Sequence, residues 1–206
     1  TLLIPTMAHA TEHLGFAYTG SVLAEHPFNF ARRASTLDHL SNGRVAWNIV
    51  TSYLPSAARN LGFDDLPKHD DRYDRGDDYL EVLYKLWEAS WEDGAVVRDL
   101  ERGIYADPAK VHTIDHNGPY YTVPGPHLCE PSPQRTPLLF QAGSSDRGRE
   151  FAARHAECVF ILGTGRGELI ADLRERATKH GRRPEDIKIC LGVSLVIGGS
   201  EAEARA

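Results

Sequence analysis

Short β-prone runs alternate with amphipathic helical stretches along this chain, and that alternation constrains its fold more than any other feature. Residues 15–22 read as a strand. Residues 28–41 read as a helix, with Phe30, Ala34, Leu37 and Leu40 about one turn apart. Ser41-Asn42-Gly43 supplies its stop, and residues 44–51 form a second strand rich in β-formers. After a loop ending near Lys68-His69-Asp70, residues 73–91 give the clearest helix. Its inward stripe is Tyr79, Leu80, Leu83, Leu86, Trp87 and Ser90, with Asp77, Asp78, Glu81 and Lys85 outside it. Residues 137–143 are a short continuous apolar run, the kind a parallel sheet buries on both faces. Ser144-Ser145-Asp146 caps a helix running to about His155. Residues 158–163 and 187–197 read as two more strands. Between them lies a helix over 168–180, with Leu169, Ile170, Leu173 and Ala177 inward and Gly181 ending it.

This order implies an α/β fold of right-handed βαβ units around a parallel sheet. An open doubly wound sheet and a (β/α)8 TIM barrel both satisfy it. A complete barrel needs about 250 residues. A chain of 206 residues with five core strands would therefore be an incomplete one. Residues 103–137 break the alternation. They hold Pro108, Pro119, Pro124, Pro126, Pro131, Pro133 and Pro137 of the chain's 12 prolines, a density no regular helix survives. His116-Asn117-Gly118, between the β-prone runs 111–115 and 120–123, predicts a hairpin there. The stretch reads as a Pro-rich excursion inside one partial-barrel domain, 1–206.

Composition narrows the function. Lys plus Arg number 23 against 29 Asp plus Glu, a net charge of −6, which argues against a nucleic-acid partner. No run of about 18 apolar residues exists to span a membrane. Cys129, Cys158 and Cys190 are odd in number and widely spaced, so neither a disulfide framework nor a zinc site is expected and the compartment reads as reducing, hence cytoplasmic. The start, Thr1-Leu-Leu-Ile-Pro-Thr-Met, has no basic segment before an apolar run and no initiator Met, which suggests a fragment or a processed product.

Five places carry candidate chemistry. Gly143-Ser144-Ser145-Asp146 sits where a buried strand meets a helix, and helix N–H groups there suit a phosphate. Trp47-Asn48-Ile-Val-Thr51-Ser52-Tyr53 gathers polar residues at the carboxyl end of an apolar strand, the ligand-facing end of a barrel. His69 and Tyr73, four apart at a helix start, share one side. Gly163-Thr-Gly-Arg-Gly167 falls short of a dinucleotide fingerprint, because Glu168 stands where the sixth-position Gly is needed. His112-Thr-Ile-Asp-His116 lacks the helix and the Glu of a zincin pair, so no metal is expected there.

Several segments, in order, carry a resemblance to a known family. They include His26-Pro27, ARRASTLDHLSNGR at 31–44, Trp47-Asn-Ile-Val-Thr-Ser52, Ala58-Arg-Asn-Leu-Gly62, His69-Asp-Asp-Arg-Tyr73, Tyr84-Lys-Leu-Trp87 and Ser90-Trp-Glu-Asp93. Asp107-Pro-Ala-Lys-Val-His112, Ser132-Pro-Gln-Arg-Thr-Pro137 and Gln141-Ala-Gly-Ser-Ser145 continue the series. Together they resemble the bacterial luciferase-like superfamily. Within it they resemble the flavin-dependent group of nitrilotriacetate monooxygenase component A, dibenzothiophene-sulfone monooxygenase and long-chain alkane monooxygenase. Gly125-Pro-His-Leu-Cys-Glu-Pro-Ser-Pro-Gln-Arg135 looks most like the alkane branch.

The resemblance implies a TIM barrel of which this chain would supply about strands 3 to 7, without the family's flavin-touching Asp after strand 2. It implies FMN, reduced by a separate flavin reductase, acting with O2 to oxygenate a small organic substrate such as a long-chain alkane. It also implies a homo-oligomer at full length. By motif, Asn48 and Ser52 would line the flavin ring side, with Thr51 counted beside them among the cofactor-binding residues. Tyr73, Gly143, Ser144 and Ser145 would hold the phosphate end, with His69 in support. Tyr53 stands where the alkane branch has a His, and so falls to the substrate pocket; no catalytic acid or base is assigned. A deazaflavin-dependent hydride-transfer enzyme of the same superfamily, or a non-catalytic fragment that associates through uncovered apolar faces, are the other readings.

Overall fold

A computed structural model describes residues 1–163 and 166–205. The chain divides into two compact units, Thr1–Phe140 and Gln141–Ala206. In the first, α1 (Ile4–His9), β1 (Phe16–Ser21), α2 (Pro27–Ser41), β2 (Val45–Val50), α3 (Pro55–Asn60) and α4 (His69–Tyr84) follow one another. β1 and β2 run parallel, in register from Phe16 opposite Val45 to Ser21 opposite Val50, so β1–α2–β2 is one βαβ unit.

α2 begins well because Pro27 needs no donor there and His26 Nδ1 accepts the Phe28 N–H at 3.3 Å. It ends at Asn42 in the left-handed region, φ 54°. Phe30, Ala34 and Leu37 are buried as expected, but Leu40 is 58 % exposed. The reason is angular: one turn beyond Leu37 the inward position falls on Ser41, which is fully buried. Phe30, Trp47 and Tyr79 meet in the core, with ring centroids 4.4 to 6.1 Å apart.

α4 starts at His69, four residues earlier than periodicity suggests. Asp70 and Asp71 fill its first turn, where the helix dipole favours carboxylates. The expected inward stripe is buried. A π-helical turn over Lys85–Ala89 carries it to Ser90. Asp78, expected outside the stripe, is 4 % exposed. It accepts the N–H groups of Tyr120 and Tyr121, each at 2.9 Å, and lies 3.0 Å from His116 Nε2. A periodicity argument counts only the helix's own core face, whereas the Pro-rich segment covers Asp78 from the other side.

β3 (Val96–Asp99), just before that segment, pairs antiparallel with β4 (Ile104–Ala106) inside it, and β5 (His116–Asn117) then pairs antiparallel with β6 (Thr122–Val123). Asn117 lies inside the second ladder, so the turn is 118–121 rather than His116-Asn117-Gly118. Gly118 is required there, because a Cβ would sit 1.8 Å from Asp78 Oδ1. β7 (Leu138–Gln141) lies beside β2 and leads into the second unit.

The second unit contains α5 (Asp146–His155), β8 (Cys158–Leu162), α6 (Gly167–Lys179), β9 (Lys188–Gly192) and α7 (Glu201–Arg205). β8 and β9 are parallel, from Cys158 opposite Lys188 to Leu162 opposite Gly192. Ala152, Val159, Ile161, Leu173, Ala177 and Ile187 form its core. The last strand stops at Gly192 instead of running to 197. β8 ends opposite that residue, so the following backbone has no ladder partner in this pair, and Val193, Leu195 and Ile197 are exposed.

Candidate functional site

At the carboxyl end of β2 the chain turns through Thr51, Ser52 and Tyr53. Ser52 has φ 65°, a left-handed conformation that costs energy for any residue with a Cβ. Its hydroxyl lies 2.6 Å from that of Ser21 at the end of β1. Arg72 of α4, 8 % exposed, holds this turn by donating from Nη1 to Ser52 O. Asn48 donates through Nδ2 to Thr19 Oγ1 at 3.1 Å. Its carbonyl oxygen is buried with no hydrogen-bond partner among the described residues, as is Arg72 Nε. Each such buried group calls for an explanation, and at the ligand-facing end of a strand a bound molecule supplies one.

The first turn of α4 brings the His69 and Tyr73 rings within 5.2 Å of each other, as their spacing predicts. Tyr73 is buried, whereas His69 is exposed and its Nδ1 lies 2.6 Å from Asp70 Oδ1. Tyr53 is 79 % exposed.

The turn after β7 is built differently. Gln141, 3 % exposed, accepts the Gly143 N–H through Oε1 at 2.6 Å. Ser145 is the N-cap of α5, and its Oγ accepts the Gly148 N–H at 3.0 Å. Asp146 is tied to Arg176 of α6 at 2.6 Å, and that hydrogen bond holds its carboxyl below the usual range. Between these bonds, Gly143 and Ser144 open onto a cavity of about 350 Å³ inside the second unit, walled by Val159, Ile161, Leu169 and Arg166 among others. Thus Gly143 and Ser144 share one cavity with Ser145 next in sequence, and Asn48, Thr51 and Ser52 share one strand end.

The remaining candidates separate. His112 Nε2 lies 2.7 Å from Glu92, whereas His116 is buried between Asp78 and Lys85, so the two imidazoles serve different partners. Of the Gly163–Gly167 run, Thr164 and Gly165 lie outside the described residues. Two arginines were missed by sequence reasoning. Arg72 had a signal: a cation in the first turn of a helix opposes the dipole and needs another reason to be there. Arg166 sits in the glycine-rich run that was set aside because of Glu168.

A model of the luciferase-like monooxygenases matches residues 2–206. The chain belongs to that family. Long-chain alkane monooxygenase of Geobacillus thermodenitrificans (strain NG80-2) is 58 % identical over 98 % of this chain and 47 % of its own length. Dimethyl-sulfide monooxygenase of Hyphomicrobium sulfonivorans is 52 % identical over 98 % of this chain and 43 % of its own. Among solved structures, a riboflavin lyase with modified FMN and riboflavin superposes with a TM-score of 0.90, at 45 % identity, over 98 % of this chain and 46 % of that one. This luciferase-like monooxygenase chain spans about half the length of the curated relatives it matches. Its parallel β–α units are those of a luciferase-like TIM barrel, and none of its described helices is long and apolar enough to cross a membrane.

Proposed function

We propose that this chain is the flavin-holding part of a two-component, FMN-dependent monooxygenase that oxygenates a small organic substrate, a long-chain alkane as in the relative 58 % identical to it. The observation that carries the reading is the turn after β7, where Gly143 and Ser144 border a cavity at the start of α5. Main-chain N–H groups and hydroxyls at a strand-to-helix turn are the donors a phosphate monoester needs. The unpaired Asn48 carbonyl and the Ser52 turn offer polar contacts of the kind an isoalloxazine edge uses. The donors present therefore fit FMN.

In this reading Gly143, Ser144 and Ser145 hold the phosphate, with Tyr73 assisting and His69 in support. Asn48, Thr51 and Ser52 orient the ring, and Arg72 keeps Ser52 in place for that task. Tyr53 belongs to the substrate pocket. Reduced FMN, when bound, supplies the electrons that activate O2; the protein's part is to position it and exclude water. A separate flavin reductase, a cytoplasmic setting, and a homo-oligomer at full length complete the proposal. The chain itself would be a partial barrel, strands 3 to 7, with residues 103–137 as its excursion. Titrating it with FMN and with a deazaflavin cofactor tests the reading. FMN is expected to bind and the deazaflavin not; binding of the deazaflavin alone would replace oxygenation by hydride transfer.

A further inference from the structure

Arg166 supplies the formal charge on the wall of the cavity beside Gly143 and Ser144; no Asp or Glu lines it among the described residues. Its Nε donates to Leu162 O at 3.0 Å. The guanidinium rests against Gly163, where an added Cβ would lie 3.4 Å from Nη2. Gly163 has φ 83°, a left-handed conformation that favours glycine at that residue. The other arginines near this turn are committed. Arg149 is paired with Asp146 and Asp172, and Arg176 with Asp146, Glu150 and Asp172. Arg166 has no carboxylate partner among the described residues, and Nε alone is spent on Leu162. Among the described residues its two terminal nitrogens have no hydrogen-bond partner, which leaves them for a ligand. Val159, Ile161 and Leu169 give the same cavity an apolar lining. One cation, one serine hydroxyl and an apolar lining suit a molecule with an anionic end on an uncharged body. A guanidinium matches a phosphate better than an ammonium does, because its fork can bond two oxygens at once.

We propose that Arg166 selects the phosphorylated flavin, FMN over riboflavin, by pairing with the phosphomonoester in this cavity. The proposal rests on the FMN reading above and adds to it the residue that reads the phosphate. The test is a fluorescence titration of the chain with FMN and, separately, with riboflavin, for the wild type, Arg166→Gln and Arg166→Lys. Arg166→Gln should weaken FMN about ten-fold or more, while riboflavin moves less than about two-fold, as loss of one charge-assisted contact implies. Arg166→Lys should recover part of the FMN affinity, since it keeps the charge without the fork. Added salt should weaken FMN binding more in the wild type than in Arg166→Gln. An unchanged FMN-to-riboflavin preference in Arg166→Gln would overturn the role of Arg166 and leave the FMN reading standing. A wild type that binds neither flavin would instead remove the FMN reading, and this proposal with it.

Discussion

The turn after β2 and the turn after β7 both close a strand at its carboxyl end, yet they are held by opposite means. After β7 the bonds to main-chain N–H groups are local, Gln141 to Gly143 and Ser145 to Gly148, two and three residues apart, and one longer tie runs from Asp146 to Arg176. After β2 they are distant: Ser52 meets Ser21, 31 residues away, and is held by Arg72, 20 residues away. A locally bonded turn keeps its shape from its own sequence. A turn braced from afar keeps a strained φ only while the surrounding structure insists on it. The Pro-rich segment belongs to the second kind. His127 lies 3.0 Å from Ser35 Oγ, 92 residues away, and its N–H donates to Ser90 Oγ at 2.8 Å.

The contrast can be broken at its distant braces first. Burial, reinforced by Arg32 and His39, pulls the His127 pKa down to about 4 from its ordinary 6.5. Folding therefore favours neutral His127. Its contribution is complete above pH 6.5 and is lost as the pH falls towards 4, where protons bind the unfolded chain preferentially. About 3 kcal/mol of stability should disappear across that window, from roughly 1.4 kcal/mol per pKa unit. Urea unfolding at several pH values should show this loss in the wild type and not in His127→Gln; parallel curves would contradict it. Next in size, Arg72→Ala leaves Ser52 O without its charged donor and should cost about 2 kcal/mol in the same measurement. A loss below about 0.5 kcal/mol, the level of an ordinary surface substitution, would mean the turn needs no distant brace.

The local turn should behave otherwise. Ser145→Asp keeps an N-cap acceptor, so the melting temperature should hold, while FMN binding weakens by roughly 1–3 kcal/mol through repulsion of the phosphate. Unchanged affinity would move the phosphate away from this turn. The smallest effect sharpens the comparison at Ser52. Ser52→Gly relieves the left-handed strain but loses the Ser21 hydroxyl contact, and should change stability by less than about 1 kcal/mol. Ser52→Ala loses the contact and keeps the strain, so it should be the less stable of the two by calorimetry.

The same distinction explains what could be read from residues alone. β1, α2, β2, α5 and α6 announce themselves through periodicity and caps, which are short-range signals, and Ser145 could be placed as an N-cap for that reason. Asp78 could not be placed in the interior, because its partners are N–H groups 42 and 43 residues on. Arg72 carried a local signal in its place in the first turn of α4, but its partner, Ser52 O, lies 20 residues back. The over-long last strand has another: β-propensity in Leu195–Ile197 says nothing about whether a neighbouring strand extends far enough to pair with it.

A crystal structure with FMN bound tests the central claim most directly. The account places the phosphate oxygens within hydrogen-bond distance of the Gly143–Ser145 turn. A phosphate held anywhere else, with that turn making no contact to it, would contradict the account.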